Sequence, residues 1–209
     1  MAEVTSSYPA SLSIDYPDRD LNRLTTFFRI FTVIPIAIIL GLLVSAGSSN
    51  SEGGTSYQYA ASAMVFLPLV LMILFRMKYP RWWFDWNLAL TKFMYRVDAY
   101  IGLLTDLYPS TDEEQSVHIE IQYPDVEKEL NRWLPLVKWF LAIPHYIILV
   151  FLSIAVWVII IIAWFAILFT KRYPRGMFDF VVSVYWWGLR VAAYAFLLTT
   201  DRYPPFSLE

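Results

Sequence analysis

The chain lacks cysteine altogether and has only two histidines among its 209 residues. Without cysteine it cannot form disulfides, thiolate metal sites, cysteine nucleophiles or cysteine-ligated iron–sulfur clusters. The sequence motifs of zinc proteases, serine hydrolases, phosphate-binding loops and dinucleotide-binding domains are absent as well. We therefore predict no catalytic residue, no metal site and no cofactor.

Charged residues are also scarce, at 16% of the chain against about 25% in typical soluble domains. The net charge of −2 argues against a nucleic-acid partner, which requires a strongly basic face. Hydrophobic residues make up 58% of the chain, and the 9 Trp, 14 Tyr and 15 Phe fit a large surface at the level of lipid headgroups. The composition predicts a membrane protein.

Two long stretches of the chain match each other. Tyr79-Pro80 recurs as Tyr173-Pro174, at an offset in residue number of 173 − 79 = 94. Three other pairs have the same offset: Asp85 and Asp179, Arg96 and Arg190, Tyr100 and Tyr194. We predict two tandem repeats, residues 1–110 and 111–209.

Each repeat begins with a predicted strand. Residues 11–17 and 117–123 alternate between polar and apolar side chains, which is typical of a half-buried strand. Both stretches run into Tyr-Pro, where a ladder must stop because proline has no N–H to donate. We expect these strands to pair with the extended segments 103–108 or 197–203 in a small cytoplasmic sheet. The side chains expected to be buried there are Val117, Ile119 and Ile121.

A helical hairpin inserted in the membrane is predicted after each strand, over residues 25–76 and 134–170. In the first, two apolar runs of about 17 residues flank a Gly/Ser-rich loop at residues 47–56. In the second, residues 139–170 carry no formal charge. One helix of that length would measure about 48 Å, which exceeds the ~30 Å hydrocarbon core. We therefore expect a turn near Ser153, and four membrane-inserted helices in all.

The distribution of basic residues predicts the orientation. All 16 Lys and Arg residues lie in residues 1–29, 76–138 or 171–209, and none lies at a hairpin tip. The positive-inside rule then places both termini in the cytoplasm. The polar, acidic N-terminal segment does not have the pattern of a cleavable signal peptide. The expected location is the prokaryotic cytoplasmic (inner) membrane.

An amphipathic helix at the membrane interface is predicted after each hairpin, over residues 81–104 and 176–199. Apolar residues recur there with a period of 3.6, and charged residues lie on the other face. The predicted fold is thus a mainly α membrane protein, with a strand, a hairpin and an interfacial helix in each repeat. The candidate residues for contact with lipid or a partner are Arg81, Trp82, Trp83, Asp85, Arg96, Arg175, Asp179, Trp186, Trp187 and Arg190.

The repeated aspartates and arginines allow a contact between the repeats. The offset from aspartate to arginine is the same in both, since 96 − 85 = 11 and 190 − 179 = 11. Three helical turns separate them, so they share a helix face about 16 Å apart. Packing about a pseudo-two-fold axis would pair Asp85 with Arg190 and Arg96 with Asp179. The alternative is that each arginine reaches lipid phosphates and each aspartate binds nearby backbone amides.

The two histidines have simple expected roles. His118 is expected to be a solvated strand residue. His145 follows Pro144 at the start of an apolar run. We expect an interfacial histidine with a partner on a neighbouring helix, and the alternative is a contact to haem or a quinone.

One series of motifs in the second repeat carries a family resemblance. It runs Arg172-Tyr173-Pro174-Arg175-x-x-Phe178-Asp179-Phe180, then Arg190-Val191-x-x-Tyr194, Leu197-Leu198 and Tyr203-Pro204-Pro205-Phe206. This series resembles domain-of-unknown-function family 4389, whose members are bacterial and archaeal membrane proteins. The resemblance covers nearly the whole chain, as two tandem copies of the motif, and is specific in the second repeat. The first repeat departs from it, with Trp86 in place of Phe180 and Asp98 in place of Ala192. The resemblance implies a membrane protein and no particular activity.

Three functions are compatible with these features. The first is a non-catalytic accessory or scaffold subunit of a membrane complex, or a lipid-organising protein, with the bilayer and other membrane subunits or further copies of itself as partners. The second is a small channel or transporter, which internal repeats favour, although the predicted spans contain no acidic or basic residue. The third is an enzyme that acts at the headgroup level through Asp85, Asp179 and nearby arginines.

Overall fold

The computed structural model describes residues 8–17, 20–45, 68–111 and 113–208. Over these ranges the chain is mainly helical, as the sequence predicts. The Gly/Ser-rich loop predicted at residues 47–56, and with it the tip of the first predicted hairpin, lies outside the described residues.

The helices and strands follow one another in a simple order. The strands are β1 (Ala10–Ile14) and β2 (Val117–Ile121). The helices are α1 (Arg23–Ser45), α2 (residues 68–76), α3 (Arg81–Ile101), α4 (Val126–Glu129), α5 (Lys138–Leu141), α6 (Ile143–Thr170) and α7 (Arg175–Ala195), with a short 3-10 turn at Leu134–Leu136.

The two strands pair with each other rather than with the extended segments 103–108 or 197–203. They form an antiparallel sheet whose central pair is Leu12 and Ile119. The apolar side chains of both strands are buried, including the predicted set Val117, Ile119 and Ile121. That face of β2 packs on α3, whereas β1 packs on α7.

The second predicted hairpin is replaced by a single helix. α6 runs without interruption through Ser153, where the sequence predicts a turn. The Ser153 hydroxyl donates to the carbonyl of Val150 at 2.7 Å, so it is satisfied inside the helix. Between Pro144, in the first turn, and Thr170 there is no proline or glycine to break the helix. Its 28 residues correspond to about 42 Å.

Length and apolar composition would allow α6 to cross a membrane. The segments Arg23–Arg29 and Phe31–Gly41 of α1 satisfy the same criteria only when taken together, and they are bent by 57° relative to each other. Among the described residues this gives one such helix, or two if the bent pair is counted. The prediction of four membrane-inserted helices is therefore not supported.

Helices α3 and α7 are each 21 residues long and begin directly after a Tyr-Pro pair. Proline suits this position because its fixed φ and missing N–H are tolerated at a helix start. The residue after the preceding helix is left-handed in both cases, Met77 at φ 47° and Lys171 at φ 60°. Left-handed residues also follow α3 and α7, namely Leu103 and Leu198. The two helices thus have the same kind of entry and exit.

Candidate functional site

Two clusters of aromatic side chains connect the strands to the long helices crosswise. In one cluster the ring of Phe178 contacts Tyr16 and Tyr173 edge-on, with centroid distances of 5.0 and 5.8 Å. In the other, Phe84 contacts Tyr123 and Tyr79 in the same way, at 5.2 and 5.9 Å. We call these the crossed aromatic clusters. Each joins the segment that follows the strand in one half of the chain (residues 1–110 or 111–209) to a long helix in the other half.

Hydrogen bonds and cations reinforce the crossed aromatic clusters. The hydroxyl of Tyr16 donates to the carbonyl of Tyr173 at 2.6 Å, and that of Tyr123 donates to the carbonyl of Tyr79. The guanidinium of Arg175 lies 4.7 Å from the ring centroid of Tyr16. That of Arg81 lies 5.0 Å from the ring centroid of Tyr123. Two candidate interface residues therefore hold the protein's own strands by cation–π contacts.

Each half also contains a buried cation paired with an aspartate. Arg29 pairs with Asp106, and Lys138 pairs with Asp201 at 2.7 Å between Nζ and Oδ1. Both cations also donate to the carbonyl of the threonine that precedes the aspartate. The second carboxylate oxygen accepts a backbone N–H in each case, from Asn22 at 2.9 Å and from Asn131 at 2.6 Å. We refer to these as the two buried ion pairs.

Local sequence patterns do not predict the two buried ion pairs, although their residues stand at matching positions. Arg29 and Lys138 occupy equivalent places in the two predicted repeats, and both aspartates occur in the motif Asp-x-Tyr-Pro. A cation and an acid that recur together in this way could have signalled a contact. In each pair the aspartate lies far along the chain from its cation, at 106 − 29 = 77 and 201 − 138 = 63 residues, so local periodicity does not connect them.

The ten candidate interface residues divide by burial. Arg81, Trp82, Asp85, Arg175 and Asp179 are exposed, and Trp83 and Trp186 are half-buried. Arg96, Trp187 and Arg190 are buried in the chain. These last three were predicted to contact lipid or a partner, and their burial leaves them no such surface.

The repeated arginines have serine partners instead of the predicted aspartates. Arg96 donates to the carbonyl of Ser110 at 2.7 Å, and Arg190 donates to the carbonyl of Ser207. Each arginine thus binds the backbone of the segment that follows its own helix. Asp85 and Asp179 lie on the exposed side of those helices. The halves do contact each other reciprocally, but through the crossed aromatic clusters and not through Asp–Arg pairs.

His145 has the helix partner that the sequence predicts. The indole N–H of Trp187, on α7, donates to Nδ1 of His145 at 3.0 Å, and both side chains are buried. Because Nδ1 accepts this bond, the proton of the neutral imidazole lies on Nε2, which then has no lone pair for a metal. The ring also stacks on Phe206 at a centroid distance of 4.0 Å. This geometry does not fit haem ligation by His145.

The His145–Trp187 pair has an apolar counterpart in the first half. Ile36 occupies the position equivalent to His145, at the same offset that relates Arg29 to Lys138. Phe93 is equivalent to Trp187, at the offset that relates the two Tyr-Pro pairs. Ile36 and Phe93 are packed together in one buried cluster. The second half therefore has a polar contact where the first half has an ordinary hydrophobic one.

A mainly apolar groove between α3, α6 and α7 has an acidic side chain, Asp98, in its lining. It has a volume of about 680 Å³ and is lined mainly by apolar residues such as Leu149 and Val156. Asp98 lies at its edge, and Tyr185 donates from its hydroxyl to the Asp98 carbonyl at 3.3 Å. The Asp98 side chain is exposed to solvent at the edge of the groove. Desolvation of its charged form by the surrounding protein raises its pKa to about 6.

The raised pKa of Asp98 predicts a pH-dependent stability. Between the ordinary value of 3.8 and about 6 the folded chain holds a proton that the unfolded chain lacks. Stability is therefore greatest below this window and falls as the pH rises through it. We expect the melting temperature of the wild type in detergent to fall between pH 4.5 and 7.5 by more than that of Asp98→Asn.

The control for this experiment is Asp85→Asn, which removes a carboxylate of the same helix that does not line the groove. It should follow the wild-type pH dependence. Equal pH dependence in the wild type and Asp98→Asn would contradict the assignment.

The segment that contains Lys138, Arg190 and Asp201 is also the one that resembles a described family. Residues 133–207 match the family model "Domain of unknown function (DUF4389)". This match supports the resemblance seen in the second half and brings no activity with it. No curated protein and no solved structure matches the chain.

Proposed function

We propose that the chain consists of two copies of one unit, residues 1–110 and 111–209, packed about a pseudo-two-fold axis. The central pair of the sheet, Leu12 and Ile119, supports this, because these residues are also equivalent in the two copies at 119 − 12 = 107. An antiparallel pair centred on equivalent residues is what a two-fold axis through the sheet generates. The crossed aromatic clusters and the two buried ion pairs follow the same symmetry.

We further propose that the protein is a non-catalytic integral membrane protein of the prokaryotic cytoplasmic membrane, with both termini on the cytoplasmic side. The surface of α6 is the observation that carries this proposal. Only 11% of its most apolar 18-residue window is buried inside the chain, whereas the core helix of a soluble protein would be largely covered. Such a surface requires lipid or other apolar partners.

The positions of the polar side chains support an accessory or scaffold role in a membrane complex, or a lipid-organising role. Buried contacts of Arg29 and Lys138 with their aspartates hold segments of the chain together. Exposed aromatic and basic side chains remain at the start of α3, where Arg81, Trp82 and Trp86 lie together. Aromatic residues and arginine are enriched in protein interfaces, so this patch is the candidate contact surface.

A small channel or transporter is the second candidate, and one observation favours it. The groove between α3, α6 and α7 brings the carboxyl group of Asp98 next to apolar surface. An acidic group in such surroundings is the usual mark of an ion or proton path. Flux of protons or ions into liposomes that contain the purified protein would favour this function.

The scaffold proposal is tested by native electrophoresis after extraction with a mild detergent, with mass spectrometry of the band. The chain should fractionate with membranes, resist a high-pH wash and migrate in a complex well above its own 24.4 kDa. Trp82→Ala with Trp86→Ala should dissociate the complex. Leu107→Ala, which removes an exposed apolar side chain beyond the other end of α3, should leave it intact.

Two results would overturn the scaffold proposal. One is a monomeric wild type in the extracted membranes combined with ion flux in liposomes, which would favour the channel. The other is a chain that is released by the high-pH wash, which would remove the premise of an integral membrane protein.

A further inference from the structure

The position of β1 on α7 limits the orientations that the helices can adopt relative to a bilayer. Just after β1, Tyr16 contacts Phe178, and at the start of the strand the carbonyl of Ala10 accepts from the indole of Trp186 at 3.4 Å. Tyr8, just before the strand, donates to the carbonyl of Arg190 at 3.2 Å. The strand therefore follows the axis of α7 from residue 178 to residue 190.

Helix α6 follows the same axis on the opposite side of α7. It is joined to α7 by residues 171–174, and near its other end Ala142 packs with Trp187, Val191 and Ala195. At 100° per residue these three α7 positions lie on the opposite side of the helix from Phe178, Trp186 and Arg190. Helix α6, helix α7 and strand β1 are thus three layers whose long axes run side by side.

This layering is incompatible with an α6 that stands upright across a bilayer. In that orientation β1 and β2 would stand beside it at the same depth. The outer face of the sheet is polar and exposed, with Ser13, His118 and Glu120 pointing away from the helices. Polar and charged side chains, and the unpaired edges of a two-stranded sheet, do not occur next to hydrocarbon.

We propose that α6 lies in the plane of the membrane, with its exposed side in the acyl region of one leaflet and with the sheet facing water. The proposal rests on the proposed membrane function and specifies how the bilayer is bound. The occupant of the apolar face is lipid. A helix that lies in the interface inserts its apolar side about 5–10 Å deep and has no limit on its length.

The composition of α6 and of its flanking residues favours binding to a single leaflet that contains anionic lipid. The exposed side chains of α6 are apolar except for Ser153 and Thr170, and they include Phe151, Val158 and Phe165. Exposed arginines lie just beyond the two ends of the apolar segment, Arg132 before it and Arg172 after it. In-plane insertion places both at the headgroups of the same leaflet, where the negative surface potential attracts them.

The absence of cysteine from the chain makes a test by single-cysteine variants direct. The first measurement uses Arg132→Cys, Arg172→Cys and Glu120→Cys in sealed inverted membrane vesicles. A membrane-impermeant maleimide should modify all three from the same side, because both ends of α6 and the sheet then face one aqueous phase. Modification of Arg132→Cys and Arg172→Cys from opposite sides would overturn the proposal and leave the membrane function standing.

The second measurement compares depth along α6. Phe151→Cys, Val158→Cys and Phe165→Cys are spaced by two helical turns and share one exposed face, so spin labels there report depth alone. For an in-plane helix in liposomes of phosphatidylethanolamine and phosphatidylglycerol, we expect equal depth at all three. A spanning helix would instead place Val158 about 10 Å deeper than the other two.

Two further outcomes are informative. Strong dipolar broadening between labelled chains, together with no accessibility to oxygen dissolved in the lipid, would identify a second copy as the occupant and overturn the proposal. A chain that does not bind the liposomes at all would instead remove the proposed membrane function. The failure of one proposal is thus distinguishable from the failure of the other.

Discussion

Replacing Asp201 by asparagine is expected to lower the free energy of unfolding by about 3–5 kcal/mol, because it leaves a buried ammonium without its anion. The Lys138 side chain is 0% exposed, and its Nζ lies 2.7 Å from Oδ1 of Asp201. Asparagine keeps an oxygen for the backbone N–H of Asn131, so the change removes charge and little else. For a chain of this size the melting temperature should fall by about 6–20 °C.

The pH dependence of the Asp201→Asn defect provides an internal check. Burial lowers the pKa of Lys138, and Asp201 opposes that effect. Without the aspartate the pKa falls further, and the destabilisation is present only while the lysine is charged. The defect should therefore shrink as the pH rises. In the matched variant Asp106→Asn it should persist, because Arg29 does not lose its proton in this range.

A double-mutant cycle uses Lys138→Met and Asp201→Asn, each alone and combined. It separates the contribution of the ion pair to stability from that of ordinary packing. Lys138→Met retains most of the side-chain volume and removes the charge. The double variant Lys138→Met/Asp201→Asn should therefore be more stable than Asp201→Asn alone. Equal loss of stability in the two would mean that the pair makes no specific contribution to the fold.

Periodicity is sufficient to predict the two helices that pack on the sheet. The 3.6-residue pattern places helices where α3 and α7 begin and end within a few residues, since Tyr-Pro marks each start. The period-2 pattern likewise identifies the buried face of β2. It does not identify the partner strand, because alternation determines which side chains share a face and not which backbone lies beside them.

The error at α6 arose from an assumption about orientation. The turn predicted at Ser153 rests on a comparison of the length of an upright helix with the thickness of the hydrocarbon core. A run of 28 residues without a breaker favours a continuous helix, and a helix in the membrane plane can have that length. The length of an apolar segment decides between one span and two only when the segment must cross the bilayer.

Replacing Phe178 by alanine is expected to lower the free energy of unfolding by about 3–5 kcal/mol and to loosen the strand of the other half first. The ring is buried and is the shared contact of Tyr16 and Tyr173. Its loss leaves a cavity that the surrounding rings cannot fill without moving. Hydrogen exchange should therefore accelerate at residues 14–17, which lie in the other half of the chain.

The matched variant is Phe84→Ala, which removes the central ring of the other crossed aromatic cluster. It should accelerate exchange at residues 121–123 and have a smaller effect at residues 14–17, because its strand contact is Tyr123. Together the two variants map which strand each helix holds. If Phe178→Ala instead loosened residues 121–123 first, each helix would hold the strand of its own half, and the crossed packing of the two halves would be wrong.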